Sequence, residues 1–102
     1  MAKRAPRDFP PVHPGQMLEE EFLLPLGMSL AGLASAVAMP VEPLQAFVAG
    51  KQAVSGEIAM RLGRYFGTGP EFWFNLQNRY ALEVARDEWE DRVEAEVAPR
   101  AA

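Results

Sequence analysis

Apolar residues recur every three or four positions along most of the chain, and prolines, serines and glycines divide them into five segments. This spacing is typical of helices that bury one face, whereas no stretch alternates between apolar and polar residues for long enough to form a strand. The sequence therefore predicts an all-α fold of five helices, the last of which extends into an acidic C-terminal segment.

The residues between these segments indicate where each helix begins and ends. Pro14 and Pro70 suit first turns, whose amides have no partner within a helix, and Ser29 and Ser55 are favourable N-caps. The third helix is expected to run from about residue 42 to residue 48. The expected helix ends are "PLG" (25–27), Gly50 and Gly67.

Each helix is expected to present one apolar face to a shared core. In the second helix this face contains small residues, which suit close packing against the third helix. The predicted core positions are Leu18 and Phe22 in the first helix, Leu30, Leu33, Ala34 and Val37 in the second, Leu44, Phe47 and Val48 in the third, Ile58, Leu62, Tyr65 and Phe66 in the fourth, and Trp73, Leu76, Tyr80 and Val84 in the fifth.

The composition narrows the class of protein. A chain of 102 residues suits one domain, and 49% hydrophobic residues can form a core without metal ions or disulfides. Without cysteine and with His13 as the single histidine, no nucleophile–base pair or metal cluster can be assembled, so we expect no enzyme, cofactor or small-molecule substrate. The sequence has neither a signal-peptide pattern nor an apolar run long enough to cross a bilayer, which favours a cytoplasmic protein with no membrane partner.

Charge is distributed unevenly. The net charge of −4 speaks against a simple electrostatic grip on phosphates, and "EVARDEWEDRVEAE" (83–96) holds seven acidic residues against two arginines. Residues 83–96 form either a solvated helix end or a surface for a basic partner. The basic residues near the N-terminus form either a disordered arm or a minor-groove contact. They are Lys3, Arg4 and Arg7.

A helix-turn-helix is indicated by "LAGLASAVAMPVEPLQAFVAGKQ" (30–52), which resembles the motif of Cro and lambda repressor. Ala34 is small where the two helices would cross, Leu44 and Phe47 would anchor the second helix, and Gly50 would turn the chain. The resemblance implies a lambda-repressor-like DNA-binding domain.

The flanking segments resemble the HigA (VapI-like) antitoxins of type II toxin–antitoxin modules. The most specific parts are "HPG" (13–15), "RYFGT" (64–68) and "PEFWFNLQ" (70–77). The resemblance implies a homodimer that represses its own operon and neutralises a HigB-like toxin, a small basic RelE-fold ribonuclease. The implied divisions are a flexible basic N-terminal arm at 1–12, the helix-turn-helix domain at 13–85, and an acidic C-terminal helix end and tail at 86–102.

Operator DNA would meet the start of the third helix and the loop after it. Gln45 matches an adenine edge, Glu42 matches a cytosine amine, and Val41 matches a thymine methyl group. The expected phosphate contacts are Lys51, Gln52 and Ser55, with Arg61 or Arg64 as candidates if they face outward.

This face is poor in cations for a DNA reader. We therefore expect DNA binding that is weaker, more salt-sensitive or more selective than is usual for the family, or none. The alternative function is a protein-binding module, still an antitoxin or not, that keeps the helix-turn-helix frame without its DNA binding.

Two protein interfaces remain to be placed. The fifth helix has more apolar residues than one small core needs, and aromatic residues at helical spacing form either core or dimer interface. The residues expected at the dimer interface are Phe72, Trp73, Leu76 and Tyr80. The toxin is expected to bind the first helix or a terminal extension, because the second and third helices bind DNA in the family.

Overall fold

The computed structural model describes residues 10–101, and these residues form five helices and no strand. The first helical region, α1, has three consecutive parts: α-helical Pro14–Met17, π-helical Leu18–Leu23 and α-helical Leu24–Leu26. The other helices are α2 (Leu30–Ala36), α3 (Val41–Val48), α4 (Gly56–Phe66) and α5 (Pro70–Glu96). The prediction of an all-α fold with five helices is confirmed. The predicted basic arm with Lys3, Arg4 and Arg7 lies outside the described residues.

The first helix continues through Pro25 and ends at Leu26 with Gly27 as its C-cap, within the segment 25–27 that was predicted to end it. In the turn before Pro25, the Leu24 N–H bonds to the Glu19 carbonyl, five residues back. This wider π-helical turn accommodates a residue that has no N–H and whose ring would crowd a regular α-helix. Gly27 then adopts a left-handed conformation, with φ of 65°.

Serine side chains cap α2 and α4, as the sequence predicts. Ser29 Oγ accepts a hydrogen bond from the Gly32 N–H at 2.9 Å, and Ser55 Oγ accepts one from the Ile58 N–H at 3.1 Å. Each serine satisfies one of the first-turn amides that have no partner within the helix. The third helix begins at Val41, one residue before its expected start.

The core lies where α1 packs against α3 and α5, with α2 against α3 and α4 against α5. Tyr65 is an exception to the predicted core, because its side chain is 45% exposed. Ala59 and Gly63 extend the buried face of α4 to the other side, which leaves Tyr65 at the edge of that face. The buried apolar residues are Leu18, Leu23, Leu33, Ala34, Val37, Leu44, Phe47, Val54, Ile58, Ala59, Leu62 and Trp73.

Two glycines permit close approaches between backbones. A Cβ on Gly15 would lie 2.9 Å from Val48 Cα, so α1 touches the C-terminal end of α3. A Cβ on Gly63 would lie 2.6 Å from the nitrogen of Pro70, so α4 touches the start of α5. Since no larger residue fits without backbone movement, the first contact fixes α1 against α3 and the second fixes α4 against α5.

His13 caps α1 and contacts two other helices. Its Nδ1 accepts a hydrogen bond from the Gly15 N–H at 2.9 Å, and its ring lies edge-on to Phe47 and Tyr80, at centroid distances of 5.7 and 5.0 Å. Burial lowers the pKa of the His13 imidazole from its usual value of 6.5. His13 is therefore the residue at which the first helix starts, immediately before Pro14.

Acidification is expected to destabilise the fold through His13. Below pH 6.5 the unfolded chain binds a proton that the folded chain resists, so the free energy of unfolding falls as the pH drops through the lowered folded-state pKa. Protonation also turns the Nδ1 acceptor into a donor and breaks the cap. Denaturant unfolding of the wild type and of His13→Asn, compared at about pH 8 and about pH 5, measures this contribution.

Asparagine is the informative replacement because it still caps a helix but does not titrate. His13→Asn also loses the ring contacts, but this loss shifts its stability equally at every pH. The acid-induced loss of stability should be smaller in the variant than in the wild type. Parallel pH profiles would contradict a lowered folded-state pKa of His13.

Candidate nucleic-acid interface

The turn between α2 and α3 is held from two sides. The Met39 N–H bonds back to the Ala34 carbonyl at 2.9 Å, and Ala38 has a φ of 58°, in the left-handed region that non-glycine residues rarely adopt. From α4, Arg61 Nη1 donates a hydrogen bond to the Val37 carbonyl at 2.9 Å. The angle between the two helices is therefore set both by the turn itself and by α4.

Buried anchors determine which face of α3 points outward. Leu44 and Phe47 are fully buried, so the other side of this two-turn helix faces solvent. Glu42 and Gln45 are exposed there and lie on one face because they are three residues apart, while Val41 is half-buried at the first position of the helix. The structure thus presents an acid and an amide on the face that was predicted to meet DNA.

The loop after α3 carries the other predicted contact residues. Lys51 is exposed and its N–H bonds to the Ala46 carbonyl at 2.9 Å, which keeps it beside the end of α3. Gln52 and Ser55 are half-buried. The Ser55 hydroxyl oxygen caps α4, but its hydrogen remains able to donate to a phosphate oxygen. The free amides in the first turn of α4 also suit an anion.

Few cations lie on or near this surface. Arg61 is paired with Glu57 at 3.0 Å in addition to its bond to the turn, so it acts mainly within the fold. Arg64 is exposed on α4, one turn beyond Arg61. Lys51 is therefore the main cation next to α3, and Glu42 offsets its charge.

Two positioning residues were not anticipated from the sequence. Gln77 of α5 accepts a hydrogen bond from the Val54 N–H at 3.0 Å through Oε1, and this bond ties the loop after α3 to the last helix. Arg61 was a candidate phosphate contact only if it faced outward, and its guanidinium instead bonds to the Val37 carbonyl and holds the turn. Both bonds join residues more than twenty positions apart, so no local pattern could predict them.

The residues expected at the dimer interface fall into two groups. Phe72, Leu76 and Tyr80 are half-buried and keep surface for a second copy. Trp73 has no exposed surface, because it packs among the rings of Phe22, Phe66 and Phe72. Its assignment to the interface is corrected to the core, since Trp73 would contact a second copy only if the core opened.

Other chemistries find little support in the described part of the chain. Residues 10–101 contain no group of three or more histidine, cysteine, aspartate or glutamate side chains arranged to hold a metal ion. Within the same residues, no helix is both long and apolar enough to span a membrane.

The chain is similar in sequence to a virulence-associated protein and to an antitoxin. It is 35% identical over 81 residues to virulence-associated protein I of Dichelobacter nodosus, a match that covers 79% of this chain and 75% of that protein. It is 31% identical over 81 residues to antitoxin HigA-1 of Vibrio cholerae serotype O1, covering 79% of this chain and 76% of that one. No protein-family model matches the chain.

The fold resembles that of a solved antitoxin. The Pseudomonas aeruginosa antitoxin HigA, solved with the higBA promoter, superposes with a TM-score of 0.82 at 37% sequence identity. The match covers 89% of this chain and 99% of that one. The likeness therefore includes the helix-turn-helix and most of the surrounding helices.

Proposed function

The chain belongs to the HigA family of antitoxins, and we propose that it represses its own operon by binding operator DNA as a dimer and that it neutralises a HigB-like toxin. The P. aeruginosa member was solved with its promoter, which supports operator binding by the same motif in this chain. The helix-turn-helix domain at 13–85 would act in the cytoplasm, where operon and toxin are found. No catalytic role is proposed, because the HigA relatives are antitoxins and not enzymes.

The exposed face of α3 is the observation that carries this proposal. Gln45 projects from a helix that Leu44 and Phe47 fix in the core, which is the arrangement a major-groove reader needs. In that groove Gln45 would bond an adenine edge, Glu42 would accept from a cytosine amine, and Val41 would contact a thymine methyl group. Outside the groove, Lys51, Gln52 and Ser55 would hold phosphates.

A dimer would place two copies of α3 on one face of the duplex. Half-sites about one helical turn apart are read in this way, and the dimer doubles the small number of cations offered by one chain. We propose that Phe72, Leu76 and Tyr80 of α5 contribute to this dimer, since each is half-buried in the single chain.

A second function is favoured by the charge on the same face. Because Glu42 stands beside Gln45 and Lys51 is the main cation near α3, the helix-turn-helix suits a role in which DNA binding is weak or lost. In that case the frame would serve as a protein-binding module, and antitoxin activity would not depend on an operator.

Binding to the promoter distinguishes the two functions. The operator-binding function predicts sequence-dependent binding of the purified protein to a duplex from its own upstream region, measured by fluorescence anisotropy over a salt series. Each phosphate contact contributes about 0.9 to the salt slope, so one Lys51 contact from each of two protomers predicts a shallow slope of about 2. An unrelated duplex of equal length is the control. Loss of all binding even at low salt would support the protein-binding module instead.

A further inference from the structure

The C-terminal half of α5 carries a separate apolar stripe. Leu82, Trp89 and Val93 are 53%, 44% and 47% exposed, although each is a large apolar residue. The helix has 27 residues and is therefore about 40 Å long, so its C-terminal half extends well beyond the residues that pack on the core. From residue 85 to residue 101 every residue is exposed except Glu90, which is half-buried.

The stripe points away from the rest of the chain. At about 100° per residue, Leu82, Trp89 and Val93 lie within roughly 40° of one another around the helix axis. Trp73, which faces the core, lies roughly 160–180° from all three. The stripe is thus on the opposite side of α5 from the core, and it is distinct from the predicted dimer face at Phe72, Leu76 and Tyr80.

The same half of the helix holds the whole net negative charge of the protein. Residues 83–96 contain seven acidic residues and two arginines, a net charge of −5, while the rest of the chain has seven acidic and eight basic residues, a net charge of +1. The Arg92 guanidinium has partners within the helix, because it pairs with Glu96 at 2.8 Å and lies 5.1 Å from the centre of the Trp89 ring. An acidic surface therefore surrounds an exposed tryptophan.

We propose that residues 82–96 form a docking helix for a basic protein, with Trp89 and Val93 seated in an apolar cleft of that partner. Tryptophan at the centre of a contact is a common hot spot, and the acidic residues around it would attract and orient a basic surface. A second copy of this chain fits less well, because it would bring one charge of −5 against another. The proposal rests on the proposed antitoxin function, in which the basic partner is the toxin.

Variants of the stripe in the full-length chain test the proposal, with the purified toxin of the chain's own operon as the probe. Trp89→Ala combined with Val93→Ala should weaken toxin binding by at least about 30-fold, which corresponds to about 2 kcal/mol. Phe74→Ala is the matched control, because Phe74 is an aromatic residue of the same helix that is 39% exposed and lies off the stripe. The control should bind the toxin like the wild type.

The charge contribution is tested with the same titration. Replacing Glu88, Glu90 and Glu94 by glutamine should weaken toxin binding and flatten its dependence on salt, since these changes keep the shape of the helix and remove its charge. Circular dichroism and operator binding would check that each variant keeps its fold.

The possible outcomes distinguish a failure of the docking surface from a failure of the antitoxin function. Toxin binding by the stripe variant that equals that of the wild type would overturn the docking helix while leaving the antitoxin function intact. A change from dimer to monomer in sedimentation analysis of the stripe variant would assign the stripe to self-association and would also overturn the proposal. Failure of the wild type to bind the toxin would overturn the antitoxin function, and the docking assignment with it.

Discussion

Replacing Gly63 by alanine is expected to lower the free energy of unfolding by about 3 kcal/mol, which corresponds to a fall of roughly 12–24 °C in Tm. A Cβ at this position of α4 would lie 2.6 Å from both the Gly69 carbonyl oxygen and the Pro70 nitrogen. These are backbone atoms at the junction with α5, so no change of rotamer relieves the contact. The two helices must therefore separate, and the packing around Trp73 is lost with them.

Thermal unfolding followed by far-UV circular dichroism measures this effect, and the same helix supplies a matched control. Gly56 is the first residue of α4, and nothing lies within 4 Å of the position its Cβ would take. Gly56→Ala should leave Tm unchanged or raise it slightly, because alanine favours the helix more than glycine does. Equal Tm values for both variants and the wild type would show that α4 and α5 are not in such close contact.

The helices were predictable because their signals are local. Ser29 and Ser55 cap the helices that follow them, and Gly27 and Gly67 end helices in the left-handed conformation, each within a few residues of the pattern that indicated it. Apolar periodicity also identified most of the core, because it marks the buried face of a helix without depending on which other helix packs against that face. The passage of α1 through Pro25 was not indicated by the sequence, because a π-helical turn adapts the backbone in a way that residue type alone does not reveal.

The geometry of the candidate site was harder to predict from the sequence, because it depends on contacts between segments that are far apart in the chain. Arg61 was a plausible phosphate contact until the fold placed its guanidinium on the Val37 carbonyl. Trp73 was expected both in the core and at the dimer interface and lies in the core, whereas Tyr65 was expected in the core and is 45% exposed. Periodicity identifies an apolar face but not the edge of that face or the partner that covers it. Gln77 carried no signal at all, although it holds the loop that follows α3.

Replacing Gln45 and Lys51 together with alanine is expected to weaken operator binding by at least about 100-fold. A bidentate contact between glutamine and adenine contributes about 1–3 kcal/mol to discrimination, and a dimer would lose two of them together with two phosphate contacts. Both side chains are exposed, so the variant should remain as stable as the wild type to within about 0.5 kcal/mol. Fluorescence anisotropy against the chain's own promoter duplex measures the loss.

The single variants distinguish base recognition by Gln45 from phosphate binding by Lys51. Gln45→Ala should reduce the preference for the operator over an unrelated duplex, whereas Lys51→Ala should weaken both complexes alike and reduce the salt slope. Gln16→Ala with Arg79→Ala is the matched control, because it removes one exposed amide and one exposed cation from other helices. Unchanged operator binding by the Gln45 and Lys51 double variant would mean that the exposed face of α3 is not the surface that reads DNA. Any operator binding would then come from another surface, and α3 would be available to a partner protein.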